Sequence, residues 1–380
     1  MRTLVGALVA GMFLVGMAGA ASAAESSGPN FTFGASTSYV YDFNDPKFGS
    51  NDPTLANPAG YANLEDRDQT FNIDLVQVGM SGSRGRASYG AKLDYGDLAK
   101  WAGDDSDGDI GLQTAYLSYD MGGASVTAGR FDTPIGYEVL EPWGNANISR
   151  SLSWLLLQPI NHDGLFASGH AGVFDGMIGV ANGFTVSDQG TPSTNSNNND
   201  SDDEKAILGA VGVGISDALN LYGSMLYNRK DDQLDQQLYN AIISGKVPLV
   251  NDTNFRYAVE GNFAMAELDD FNGTNPNSDY WSLVGYTGAD FGPTSLDLRG
   301  EYLYGNNDHG SSNQEAWNLT MTAGWYLTEG LQLRLEYRYD KSLQGLGPKA
   351  SGTDQIYRNN HGDSDSDNVL QAQLVWYPEL

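Results

Sequence analysis

The 380-residue sequence contains no cysteine, so a disulfide framework and a lipid-anchored mature terminus are both excluded. It is poor in basic residues: 20 Lys and Arg face 48 Asp and Glu, for a formal charge of −28. Nothing in that balance displaces counterions from phosphates, so no nucleic-acid partner is expected. The acid excess fits external loops or plain solubility. Only four histidines occur, His162, His170, His309 and His361. His162 beside Asp163, with Ser149 and Ser151 in the same segment, is the one grouping that resembles a hydrolase constellation. No recognised catalytic motif surrounds it, and no enzyme is expected. Beyond the first residues there is no apolar run long enough to cross a bilayer as a helix; the nearest, at 154–157, is far too short. Low mean hydropathy leaves a barrel open, because barrel strands are apolar on one face only.

What the chain does have begins with a leader. Arg2, an apolar stretch over 4–18 and Ala21-Ser22-Ala23 predict a signal peptide cleaved after Ala23. Residues 24–380 then read as a single domain of strand-like segments joined by connectors that alternate short and long. Asp175-Gly176, Ser216-Asp217, Gly292-Pro293-Thr294 and Glu329-Gly330 read as tight turns. Residues 44–68, 131–163, 185–204 and 342–367 are long connectors. Short turns at one rim and long loops at the other are the pattern of a closed transmembrane barrel. The fold expected is all-β, an antiparallel transmembrane barrel of about 16 strands, within a range of about 14–18.

Alternation carries this reading. Over 331–339, Leu331, Leu333, Leu335, Tyr337 and Tyr339 share one face, and Gln332, Arg334, Glu336 and Arg338 the other. Residues 254–267 and 315–327 divide the same way. Tyr39, Tyr41, Phe43, Tyr302, Tyr304, Tyr337 and Tyr339 fall at one rim, while Trp325, Tyr326, Trp376 and Tyr377 fall at the other, as interfacial girdles do. Residues 69–81 change phase near Val76, a bulge signal. Residues 238–249 contain Gly245 and Pro248 and form the weakest strand candidate.

Two connectors carry further signals. Asp104, Asp105, Asp107 and Asp109, and likewise Asp363, Asp365 and Asp367, place carboxylates at alternate positions, a candidate Ca²⁺ site whose bland alternative is a solvated acidic loop. Residues 131–163 form the longest connector, yet it is neither low-complexity nor uniformly polar: Pro134, Pro142, Pro159, Trp143, Trp154 and Leu155 through Leu157 require something to pack against. Folding into the lumen as the third loop is the arrangement expected, which makes 131–163 the candidate constriction.

The run Gly129-Arg130-Phe131-Asp132-Thr133-Pro134-Ile135-Gly136-Tyr137-Glu138, followed by Asn147-Ile148-Ser149-Arg150-Ser151, resembles the signature of the putative β-barrel porin-2 family, the OmpL-like outer-membrane proteins. Gln158-Pro159, His162, Gly164 and Asn182-Gly183 are similar too. The resemblance implies an outer-membrane barrel acting as a passive pore, and gives no solute. The chain departs from the usual barrel ending on a terminal aromatic, because it closes Trp376-Tyr377-Pro378-Glu379-Leu380.

A pore selects through the width and charge of its lumen. Parity places Lys92, Asp94, Arg256, Glu260, Asp297, Arg299, Glu301, Arg334, Glu336 and Arg338 on the inner face. The sharp expectation is a constriction in which Asp132, Glu138, Glu141 and Arg150 of the loop face Arg256, Arg299, Arg334 and Arg338 of the wall. The bland alternative is that wall charges pair across neighbouring strands. The partners expected are outer-membrane lipid, lipopolysaccharide and small hydrophilic solutes or ions, with a homotrimer open as the assembly. The alternative function is a surface protein that binds partners, ions or lipopolysaccharide through its acidic loops without transport.

Overall fold

A computed structural model describes residues 28–43, 69–99, 110–182, 205–230, 234–248, 253–268, 277–307, 314–344, 357–359, 362–364 and 366–378. The leader over 1–23, Asp104, Asp105, Asp107, Asp109 and Asp365, and His309 and His361, lie outside the described residues. Asp363 is described in its backbone alone.

The strands in chain order are β1 (Asn30–Asp42), β2 (Phe71–Arg84), β3 (Ala87–Tyr95), β4 (Ile110–Asp120), β5 (Ala124–Asp132), β6 (Asn161–Ala171), β7 (Phe174–Asn182) and β8 (Lys205–Ser216). Then come β9 (Leu219–Lys230), β10 (Leu234–Pro248), β11 (Asn254–Leu268), β12 (Asn277–Phe291), β13 (Thr294–Asn307), β14 (Gln314–Thr328) and β15 (Leu331–Gln344). The short β16 (Tyr357–Asn359) and β17 (Gly362–Ser364) pair with each other, and β18 (Ser366–Trp376) ends the series. β1–β15 and β18 form one closed antiparallel barrel, so the wall has 16 strands. β18 seals against β1 from Ala35↔Trp376 to Asp42↔Val369. Closure gives each wall strand a neighbour on both sides, which a bilayer requires.

The faces divide as alternation predicts. On β15, Leu333, Leu335 and Tyr337 are exposed on the outside, while Gln332, Arg334, Glu336 and Arg338 are buried within. Apolar outside and polar inside inverts the soluble arrangement and suits a wall bathed in lipid. Among the described residues no helix is long and apolar enough to cross a membrane, which has no bearing on a barrel.

Several local expectations shift. The turn expected at Asp175-Gly176 lies instead at Gly172-Val173: His170↔Asp175 and Ala171↔Phe174 still pair, and Gly172 supplies the positive φ of +65°. The 238–249 segment is a full strand, extended at its start to Leu234. There it pairs directly with Lys230 of β9, so only three residues join these strands at a place where the short–long rhythm calls for a long connector. The phase change near Val76 is a bulge at Asp74, where Leu75 pairs with Ser36 and Ile73 with Thr37. A second bulge at Gln113 explains why β4 shows apolar residues on both parities. The connector expected over 131–163 is 133–160, because β5 runs to Asp132 and β6 starts at Asn161.

Candidate functional site: the loop against the inner wall

The strand that leads into the loop bends away from β4 at Gly129. β5 pairs with β4 only from Ala115↔Arg130 to Asp120↔Ser125, while β4 itself continues up to Ile110 against β3. Gly129 holds φ at +124°, and a Cβ there would stand 2.3 Å from the Ala115 carbonyl oxygen. Only glycine makes this bend without strain. The bend strips β4 of its partner, and two side chains take over. Arg130 Nη1 donates to the Leu112 carbonyl at 3.2 Å, and Asn161 Nδ2 to the Gln113 carbonyl at 2.9 Å. Arg130 also grips Asp163 through two bonds of 2.7 and 2.8 Å. Phe131 turns inward against Phe166, rings 4.6 Å apart. Thr133 Oγ1 accepts from the Ile135 amide, the Pro134 carbonyl accepts from Tyr222 at 2.6 Å, and Gly136 makes room for Gln158. The residues of the family-like run thus build the departure of the loop one after another.

On the β13–β15 flank the loop is sealed to the wall. Arg299, fully buried, donates to Glu138 at 2.6 Å, to the Ser149 carbonyl at 2.6 Å and to the Arg150 carbonyl at 3.1 Å. Glu336 accepts the backbone amides of Ile148 and Ser149 at 2.6 and 2.9 Å. Glu301 accepts those of Leu152 and Ser153, both at 2.7 Å, and the Ser153 hydroxyl. Those last amides open the short helix Leu152–Leu157, capped by Ser151. Arg334 donates to the Pro142 carbonyl, and Arg338 to that of Arg150 while held by Asp340. Arg150 folds back into the loop, donating to the carbonyls of Val139, Leu140 and Ile148. Burial lowers its pKa to about 10, against the pull of Glu138, so it keeps its charge at neutral pH. Buried charges of this kind hold only when each finds partners, and here each does.

The β2–β5 flank differs. Lys92 bridges Asp132 at 2.9 Å and Glu141 at 2.7 Å, and Gln113 donates to both carboxylates. Gln77 donates to the buried Asp94 at 2.9 Å. Yet the Lys92 and Asp132 side chains remain 33% and 46% exposed, half-way up the inner wall. Burial disfavours the charge on Glu141, but Lys92 overrides it and holds the carboxyl below its usual range.

Apolar packing clamps both ends. Ile135 and Leu157 join Leu208, Leu226 and Leu238 of the wall. Trp143 stacks on Tyr377, rings 5.0 Å apart and 4° from parallel, over Gly34 of β1. Beneath the loop, toward the short-turn rim, a half-open cavity lined by Tyr137, Asn147, Arg256, Tyr286 and Asp297 separates it from β11–β13. Arg256 lies there, tied to Asp290 and Asp297. Burial raises the Tyr137 phenol well above its usual range.

The sequence candidates therefore fall in three places. Glu138, Arg150, Arg299, Arg334 and Arg338 are buried in the seal; Asp132 and Glu141 stand on the open flank; Arg256 borders the cavity. Sequence reasoning left Glu301, Glu336, Lys92, Gln113, Tyr286 and Glu260 outside the site. Parity marks Glu301, Glu336, Lys92 and Glu260 as inward, but their loop partners lie far away in sequence. Asp367 is buried and accepts from the Asn368 amide. Among the described residues no group of side chains is arranged to hold a metal ion.

Solved structures share this architecture. OmpT of Vibrio cholerae, in its trimer form, superposes with a TM-score of 0.55 at 14% identity, over 93% of this chain and 100% of that one. The outer membrane channel DcaP of Acinetobacter baumannii gives 0.60 at 11% identity, over 94% and 98%. The anion-selective porin from Comamonas acidovorans gives 0.53 at 14%, over 92% and 100%. No curated protein matches the chain. The sequence model of the family described as "Putative beta-barrel porin-2, OmpL-like" matches residues 31–371, and the chain belongs to that family: it is a porin of the bacterial outer membrane, a channel for small hydrophilic solutes.

Proposed function

We propose that residues 133–160 form the constriction of this channel and that solutes pass it on the β2–β5 flank. The observation that carries this is the contrast in access. Lys92 and Asp132 keep solvent-exposed charge deep on the inner wall, whereas Arg299 and Arg338 have none. On the open flank Asp132 and Glu141 outnumber Lys92, so small cations should pass more readily than anions.

The same reading makes the sealed arginines anchors of the loop. It treats the protein as a channel without catalysis: His162 is buried beneath the loop and shares a 3.0 Å hydrogen bond with Thr133. A homotrimer is the assembly we favour, as OmpT of Vibrio cholerae was solved in a trimer form. The apolar outward face suits lipid, and the acidic connectors suit lipopolysaccharide through bridging cations. Purified protein in a planar bilayer under a salt gradient tests the reading. Discrete conductance with a cation-selective reversal potential is expected; anion selectivity would defeat it.

A further inference from the structure

The cavity beneath the loop has a composition that neither the seal nor the open flank explains. Tyr137 of the loop and Tyr286 of β12 meet there with ring centroids 4.7 Å apart, tilted by 43°. Each keeps part of its surface free. Their backs are fixed: the Tyr137 amide donates to Glu260 Oε1 at 3.2 Å and the Tyr286 hydroxyl to Glu260 Oε2 at 3.1 Å. The two rings form one rigid aromatic wall. Opposite stands Arg256, held between the partly exposed Asp290 and the buried Asp297. Gly288 makes room for this ion pair, since a Cβ there would collide with Asp297 and crowd Arg256. Asn147, on the underside of the loop, completes the lining and donates its side-chain amide to Thr322.

We infer that this cavity is a weak binding station for an uncharged, polyhydroxylated solute of saccharide type. This rests on the channel reading above. Three features select that chemistry. The aromatic faces offer apolar contact to the C–H faces of a sugar ring. The opposite wall offers donors and acceptors side by side, which suits hydroxyls that both donate and accept. Among the described residues the one cation bordering the cavity, Arg256, is already compensated by two carboxylates, so an anion finds no free positive charge there. A solute that has passed the open flank would meet this station next, near the short-turn rim.

Planar-bilayer recordings with maltose as the probe test the inference. Ion current through the wild-type protein should fall with rising maltose concentration. Tyr137→Ala should weaken that block about fivefold, the scale of one lost ring contact, while the channel still conducts. Gly288→Val, which displaces the Arg256–Asp297 pair of the opposite wall without touching the rings, should weaken it as well. Heat-modifiable mobility in gels verifies that each variant is a folded barrel. An equal block in wild type and in folded variants would overturn the inference. So would a stronger block by arginine or glutamate than by maltose. Absence of any conductance from folded wild-type protein would overturn the channel reading itself, a separate outcome from conductance without maltose block.

Discussion

The two flanks of the loop use the same residue types for opposite ends. At β13–β15, arginine and glutamate are sealed away from water and spend their hydrogen bonds on the loop backbone. At β2–β5, a lysine and its carboxylates are paired just as closely, yet they keep an open side. The difference lies in what the partners are. Backbone amides and carbonyls of the loop can be satisfied only by pressing the loop onto the wall. Side-chain pairs such as Lys92 with Asp132 are complete without that contact, so they can stand at the edge of a passage.

The comparison would break most completely at the departure point. Gly129→Ala places a Cβ against the Ala115 carbonyl at a φ that L side chains rarely adopt. Loss of the folded, heat-modifiable species is the expected result on gels; a normal folded yield would show that the bend is dispensable. Next is the seal. The double change Glu301→Gln and Glu336→Gln keeps the shape but removes charge from bonds to four loop amides. About 1.5–3 kcal/mol of anchoring is expected to be lost at each site. Larger and noisier single-channel currents should follow, and unchanged currents would mean that the loop is held by its apolar ends alone.

Asp132→Asn sharpens the other side. Its charge is half exposed, so stability should change by less than about 1 kcal/mol. The reversal potential should nevertheless move toward anions. Arg338→Gln should do the reverse, lowering thermal stability with little shift in selectivity. The smallest effect is one of pH. Glu141 is held below the usual carboxylate range, so its tie to Lys92 is intact at and above that range. Stability from this pair is lost only as pH falls through the lowered value. Thermal stability owed to this pair that persists through the ordinary carboxylate range, and falls only below it, is the expected profile.

The wall was largely legible in the sequence because period two is a local signal. The inward set Arg334, Glu336 and Arg338 can be read from nine consecutive residues. Where bulges interrupt the period, at Asp74 and Gln113, reading one strand alone blurs, because the extra residue shows only against its partner. The turn between β6 and β7 was misplaced because Gly172 and Gly176 are equally good turn residues, and only pairing with the neighbouring strands decides. The site was legible in kind but not in detail. Glu301 and its loop partner Leu152 are 149 positions apart, and nothing local to either announces the other. The acid-facing-arginine pattern did appear, as Glu138 on Arg299, but burial gives it a holding role that spacing alone does not convey.

Trp143 deserves a last consequence. Its indole rests on Gly34 in the first strand and Tyr377 just past the last, so the middle of the chain touches both of its ends at one point. Those two strands are neighbours only once the cylinder is complete. The resting place of the indole therefore does not exist in an unclosed sheet, and the indole can settle only once the first and last strands have paired. A chain that had zipped its wall around an empty interior would lack the bolt across its own join.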